Sequence, residues 1–136
     1  MKIKQKTIKK DVVFEGQVTE GLASYYKTAD IYVSPAIFGE SFGIVLLEAM
    51  ACGTPLVAFD NQGYKDILKG KSSEEFLAKN KDYNDLAKKI EILIKNPLLR
   101  KEIGEKGLKE VQEYSWKIIA DKILDFYQEC EKKNKK

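Results

Sequence analysis

The sequence predicts an α/β fold, a Rossmann-like three-layer α/β/α arrangement around a parallel sheet. Two observations point to it. Short β-branched or apolar runs, Val12–Phe14, Ile31–Ser34 and Leu56–Phe59, alternate with helix-forming stretches, and strand, helix, strand order implies parallel strands joined by right-handed crossovers. The second half then reads as helices, with apolar residues recurring at spacings of three and four.

Taken in order, Asp11-Val12-Val13-Phe14-Glu15-Gly16 reads as a short strand stopped by glycine. Gly21–Thr28 suits a short helix with Leu22, Tyr25 and Tyr26 as its apolar residues. Ile31–Ser34 is β-branched and aromatic, and Pro35 ends that strand by removing a ladder donor. Gly39–Phe42 makes a loop. Gly43–Ala51 is helix-forming and nearly all apolar, and Gly53 stands where a left-handed glycine would close it. Leu56–Phe59 is a second buried strand. Asn61-Gln62-Gly63 is turn chemistry, Tyr64–Leu68 one helical turn, and Phe76-Leu77-Ala78 a last short strand.

Asp85–Lys95 places Leu86, Ile90, Leu93 and Ile94 on one helix face, and Asn96-Pro97 stops it. Leu98–Val111 gives another helix. Ser115 is the expected N-cap of the last, where Trp116, Ile119, Ala120, Ile123, Leu124 and Tyr127 form a stripe expected to face the core.

The chain has 136 residues, 43% hydrophobic and 33% charged, with 3 Pro and 9 Gly. This composition suits a single globular domain and excludes collagen-like, low-complexity and disordered classes. The longest apolar run, Ile44–Cys52, is interrupted by Glu48 and falls far short of the roughly 18 residues of a membrane span. Lys and Arg number 24 against 21 Asp and Glu, a net charge of +3. The signs are interspersed and Arg100 is the sole arginine, which argues against a nucleic-acid partner. The basic segments 1–10 and 131–136 read as solvated tails on a domain spanning 1–136. The first ten residues lack the apolar core of a secretory signal, and Cys52 and Cys130 lack metal-ligand spacing, so a cytoplasmic location with reduced thiols is expected. Without histidine, no triad or metal site built on imidazole is available.

The segment Ser34–Ile44 runs from the carboxyl end of a strand into a helix, where free N–H groups and the helix dipole favour an anion. Gly39 and Gly43 lack a β-carbon, so a phosphate could approach the backbone of Phe42, Gly43 and Ile44; the same glycines also serve a plain turn. The pattern is neither a Walker loop nor GxGxxG. Glu48 sits between Leu47 and Ala49 in an apolar helix. Hydroxyl donors from a ligand such as ribose would account for a carboxylate there, and so would a helix edge facing water. Glu40 lies eight positions earlier, on the loop.

Glu40-Ser-Phe-Gly-Ile-Val-Leu-Leu-Glu48, followed by Ala49-Met-Ala-Cys-Gly-Thr-Pro-Leu-Val-Ala58, resembles the E-x7-E motif and following strand of retaining GT-B glycosyltransferases, most closely the mannosyltransferase-like members of their family-4 group. Val12–Gly16, Ala29–Pro35, the turn at Gly63, Asn96-Pro97 and Ser115-Trp116 resemble further donor-domain landmarks in the same order, covering nearly the whole chain after residue 10. The resemblance implies that Glu40 is the catalytic glutamate contacting donor-sugar hydroxyls and that Glu48 holds the ribose. It also implies that Gly39, Ser41, Phe42, Gly43 and Ile44 complete the donor site, the last three meeting the diphosphate. It implies a metal-free, retaining transfer of a hexose such as mannose or glucose from a UDP- or GDP-sugar to a glycan or lipid-linked acceptor. The nucleotide sugar is then a substrate, with no cofactor.

Departures from the family pattern are Gln62, where many members have the first glycine of a Gly-Gly turn, and Asp66, where many have glutamate. By the same resemblance an acceptor-binding domain and two first donor-domain strands are missing, so the domain is expected to be partial and inactive alone. An alternative is a nucleotide-sugar-binding subunit, or an inactive interaction module, that needs a separate acceptor-domain chain. The missing strands would lie between Val12–Phe14 and Ile31–Ser34, leaving an open edge that invites self-association. Peripheral attachment at the inner face of a membrane stays open as well.

Overall fold

A computed structural model describes residues 11–38 and 40–134. Three parallel strands, β1 (Tyr32–Ser34), β2 (Leu56–Phe59) and β3 (Leu77–Ala78), lie side by side in that order. Tyr32 stands opposite Leu56, and Ala58 opposite Leu77. Around them are α1 (Leu22–Thr28), α2 (Ile44–Ala51), α3 (Gln62–Leu68), α4 (Tyr83–Lys95), α5 (Pro97–Glu110) and α6 (Trp116–Asn134), with 3₁₀ turns at Glu74–Phe76 and Val111–Tyr114.

The central strand explains the layering. Successive residues of a strand point to opposite faces, and all four residues of β2 are buried. Leu56 and Ala58 join a core with Tyr26, Leu46, Met50, Tyr64 and Leu68, from α1, α2 and α3. Val57 and Phe59 join a second core with Leu86, Leu93 and Ile103, from α4 and α5. The sheet is therefore the middle layer of three, as the alternation of strands and helices predicts.

Caps set the helix boundaries. Gly43 opens α2 at φ 95° and Gly53 follows it at φ 72°, the left-handed region that glycine enters without strain. Asn61 is a helix cap rather than part of a turn: its side chain accepts from the N–H of Tyr64 at 3.0 Å, so α3 begins at Gln62, two residues earlier than the turn reading implies. Asp82 caps α4 by accepting from the N–H groups of Asn84 and Asp85. Pro97 occupies the first position of α5, where its missing N–H costs no hydrogen bond.

Two expectations are corrected. Val12–Phe14 is not a strand, and the side chains of Val13 and Phe14 are each 76% exposed. A strand needs a paired neighbour, and among the described residues none lies beside this segment, so β1 keeps an open edge. The stripe on α6 is not core either: Trp116 is 87% exposed, and Ile123, Leu124 and Tyr127 are also exposed. Periodicity reveals an apolar side but not what covers it, and α6 meets the body chiefly at the turn Val111–Tyr114. A smaller adjustment moves Phe76 into the 3₁₀ turn that precedes β3. The basic segment 1–10 lies outside the described residues, and the tail lies within them only to residue 134, where α6 ends. No described helix is long and apolar enough to cross a membrane.

Candidate functional site

The loop between β1 and α2 crosses the carboxyl ends of all three strands. Just past β2, Asn61 donates its side-chain amide to the carbonyl of Ala36 at 2.9 Å, and just past β3, Asn80 donates to the carbonyl of Ile37 at 3.0 Å. The residue after β1 is Pro35, which has no N–H of its own to satisfy. Side chains from the two neighbouring strands thus fix the path that brings Glu40 to the amino end of α2.

There the Glu40 carboxylate turns back on the helix. One of its oxygens accepts from the N–H of Gly43 at 2.8 Å and, at 3.3 Å, from that of Phe42. Two glycines make this arrangement possible. A β-carbon on Gly63 would lie 2.7 Å from the Glu40 carbonyl oxygen, so only glycine lets α3 lie against the loop. A β-carbon on Gly43 would lie 2.6 Å from the Tyr64 ring, so the space left by the missing side chain is filled by tyrosine. Tyr64 is buried, and its hydroxyl shares a 2.6 Å hydrogen bond with that of Ser34. Burial holds the Tyr64 hydroxyl above the usual tyrosine range, and the nearby Glu40 charge adds to this. Ser41, Phe42 and Ile44 are exposed at the start of α2, and Gly39 falls outside the described residues.

Glu48 lies on α2, half-buried. A cavity of about 570 Å³ opens along the helix, lined by Phe42, Ile44, Glu48, Tyr114, Trp116 and Ile119 among others. A smaller one of about 280 Å³ lies between α1 and α2, where Tyr26, Glu48 and Cys52 form part of the wall. Glu48 borders both. Its partner is a hydroxyl from the chain itself: Tyr26 donates to Glu48 Oε2 at 3.0 Å. Burial pushes the Tyr26 hydroxyl well above its ordinary range, with the Glu48 carboxylate pushing in the same direction. Gln62 and Asp66, the two departures from the family pattern, pair with each other: the Gln62 amide donates to both carboxylate oxygens of Asp66, at 2.9 and 3.0 Å.

Tyr26, Tyr64, Asn61 and Asn80 were not legible as site residues. Tyr26 reads as an apolar helix residue and Tyr64 as the start of a turn. Their partners lie 22 and 30 positions away in the chain, and no local spacing announces contacts at that range.

A parallel sheet with helices on both faces, whose loop and helix gather polar groups beyond the strand carboxyl ends, defines a domain of the Rossmann-like class. Residues 1–110 match the family described as Glycosyl transferases group 1, and the chain belongs to that family. It is 39% identical over 116 residues to a phosphatidyl-myo-inositol mannosyltransferase of Mycobacterium leprae, covering 85% of this chain and 31% of that protein. It is 31% identical over 114 residues to a D-inositol 3-phosphate glycosyltransferase of Rhodococcus erythropolis, covering 84% of this chain and 25% of that one. Sucrose-phosphate synthase from Thermosynechococcus elongatus shares the fold with a TM-score of 0.80 and 33% identity, over 90% of this chain and 31% of the synthase. The fold is therefore of the GT-B type, and the chain spans no more than about a third of the length of these relatives.

Proposed function

We propose that this chain is the donor-binding part of a retaining, metal-independent glycosyltransferase. It binds a UDP- or GDP-sugar, with mannose or glucose as the hexose, for transfer to a glycan or lipid-linked acceptor. The observation that carries the reading is the placement of Glu40 and Glu48. One lies at the amino end of α2 and one within it, where the helix leaves the carboxyl side of the sheet, in a chain of this family.

On this reading Glu48 accepts from the ribose hydroxyls and Glu40 from those of the donor sugar. The backbone of Phe42, Gly43 and Ile44 meets the diphosphate, and Ser41 completes the donor site beside them. The leaving group is a nucleoside diphosphate, so negative charge grows on phosphate oxygens as the sugar departs. The helix dipole at the amino end of α2, and the N–H groups there once Glu40 has turned from them to the sugar, favour the transition state. The mannosyl reading rests on the motif resemblance, and the mannosyltransferases among the relatives support it.

Transfer requires an acceptor-binding part, on the same polypeptide or on another chain, and the chain alone is expected to be inactive. The exposed apolar stripe of α6 favours a second reading, a binding subunit or interaction module completed by a separate acceptor-domain chain. Self-association through the open edge of β1 belongs to either reading, and a monomer in sedimentation at tens of micromolar would exclude it. Attachment to the inner face of a membrane would show as flotation with anionic vesicles.

The deciding experiment is a calorimetric titration with UDP, GDP and ADP, followed by the matching nucleotide sugars. Saturable binding that is weakened in Glu48→Gln supports a donor site. No binding of any of the three at millimolar ligand would overturn it.

A further inference from the structure

Glu48 is a proposed ligand contact carried by a flexible side chain. A glutamate side chain has three rotatable bonds, and half-buried on α2 it can swing between the two cavities it borders. Restricting that motion before a ligand arrives removes an entropic cost from binding. The restraint comes from α1. Tyr26 is 8% exposed, and its hydroxyl donates to Glu48 Oε2 at 3.0 Å, a charge-assisted bond stronger than one between neutral groups. Among the described residues Glu48 Oε1 receives no hydrogen bond, so one oxygen is held and the other remains available.

Tyr26 is itself fixed on several sides. Thr54 donates its hydroxyl to the Tyr26 carbonyl at 2.6 Å, which ties the carboxyl end of α1 to the segment between α2 and β2. The ring meets that of Tyr32 edge to face, with centroids 5.2 Å apart and planes at 68°. Tyr32 belongs to β1, so the tyrosine that aims Glu48 is referenced to the sheet that carries the site.

We propose that Tyr26 is the positioning residue of the nucleotide subsite: by holding Glu48 Oε2 it presents Oε1 to a ribose hydroxyl. This rests on the reading of Glu48 as the ribose contact. Tyr26 touches no ligand. It acts only through Glu48, and its effect must vanish when either Glu48 or the ribose hydroxyls are taken away.

The test uses the full chain and whichever of UDP, GDP and ADP binds most tightly. Tyr26→Phe keeps the ring and its contact with Tyr32 and should weaken binding about three- to tenfold, the range for one lost hydrogen bond. The same substitution in a Glu48→Ala background should leave affinity unchanged, as should Tyr26→Phe measured with the 2′,3′-dideoxy form of the nucleotide. Full affinity in Tyr26→Phe overturns the proposal, and so does an equal loss in the Glu48→Ala background or with the dideoxy nucleotide. If Tyr26→Phe does not fold, the wild-type chain decides by NMR. Its Tyr26 hydroxyl proton should remain slow to exchange when the chain is saturated with nucleotide, and release of that proton on binding overturns the role. Failure of the underlying reading looks different: the wild-type chain then binds none of the three nucleotides, or binds the dideoxy form as tightly as the parent.

Discussion

The Glu40 carboxylate accepts from the N–H of Gly43 at 2.8 Å, so the amino end of α2 carries the chain's own anion where the proposed reading puts the donor diphosphate. Both cannot use the same donors at once. Glu40→Ala removes the resident acceptor and should lower stability by about 1 kcal/mol, the usual cost of losing a side-chain acceptor at a helix start, as read in urea denaturation. Free nucleoside diphosphate should then bind at least as tightly as to wild type, while the nucleotide sugar, deprived of its hydroxyl partner, binds more weakly. Equal losses for the two ligands would contradict the role given to Glu40.

What the sequence makes legible follows from how local each signal is. β2 is readable because Leu56–Phe59 is a short apolar run bounded by Pro55 and Asp60, and α2 because Gly43 and Gly53 bracket a helix-forming stretch. Glu40 and Glu48 are legible through the motif resemblance, and Glu48 also as a carboxylate set between apolar helix residues. The start of α3 is not legible, because Asn61 is equally suited to a turn and to a cap, and only the N–H it accepts from distinguishes them. The partners of the glutamates are more remote: Tyr26 reaches Glu48 across a layer of packing that no periodicity encodes. The stripe on α6 marks the opposite limit, since spacing identifies an amphipathic helix whether or not anything covers it.

Two glycines three residues apart on α5 should respond oppositely to alanine. A β-carbon on Gly104 would run into the carbonyl of Gly53, just after α2, whereas one on Gly107 would sit 3.5 Å from the Met50 side chain, an ordinary contact. Gly104→Ala is expected to cost more than about 1 kcal/mol through overpacking against backbone. Gly107→Ala should be neutral or stabilise by up to about 1 kcal/mol, because alanine loses less freedom on folding. Urea denaturation of both variants checks the pair, and similar losses in the two would show that α5 does not close on α2 through Gly104.

The exposure of α6 has a direct test in stability. Ile123→Ser and Leu124→Ser should each change the unfolding free energy by less than about 0.5 kcal/mol, as surface substitutions do. Leu93→Ala, at a fully buried position of α4, should cost about 2–5 kcal/mol. A loss of several kcal/mol in Ile123→Ser would mean that the stripe is covered in solution.

Alkaline pH should destabilise the fold through buried phenols. Tyr26, Tyr32 and Tyr64 all hold their protons above the usual tyrosine range. Burial is the main cause in each case, with the Glu48 charge adding at Tyr26 and Tyr32 and the Glu40 charge at Tyr32 and Tyr64. Below about pH 10 these groups are neutral in both the folded and the unfolded chain, so their contribution does not vary there. Above it the unfolded chain releases protons that the folded chain retains, and stability falls as pH rises toward the folded-state values. Urea denaturation from about pH 8 to pH 11 should show this decline. Tyr26→Phe and Tyr64→Phe should each make it shallower, since each removes one proton that only the unfolded chain gives up. An unchanged slope in both variants would locate the alkaline sensitivity elsewhere in the chain and leave the two hydroxyls ionising as they do in water.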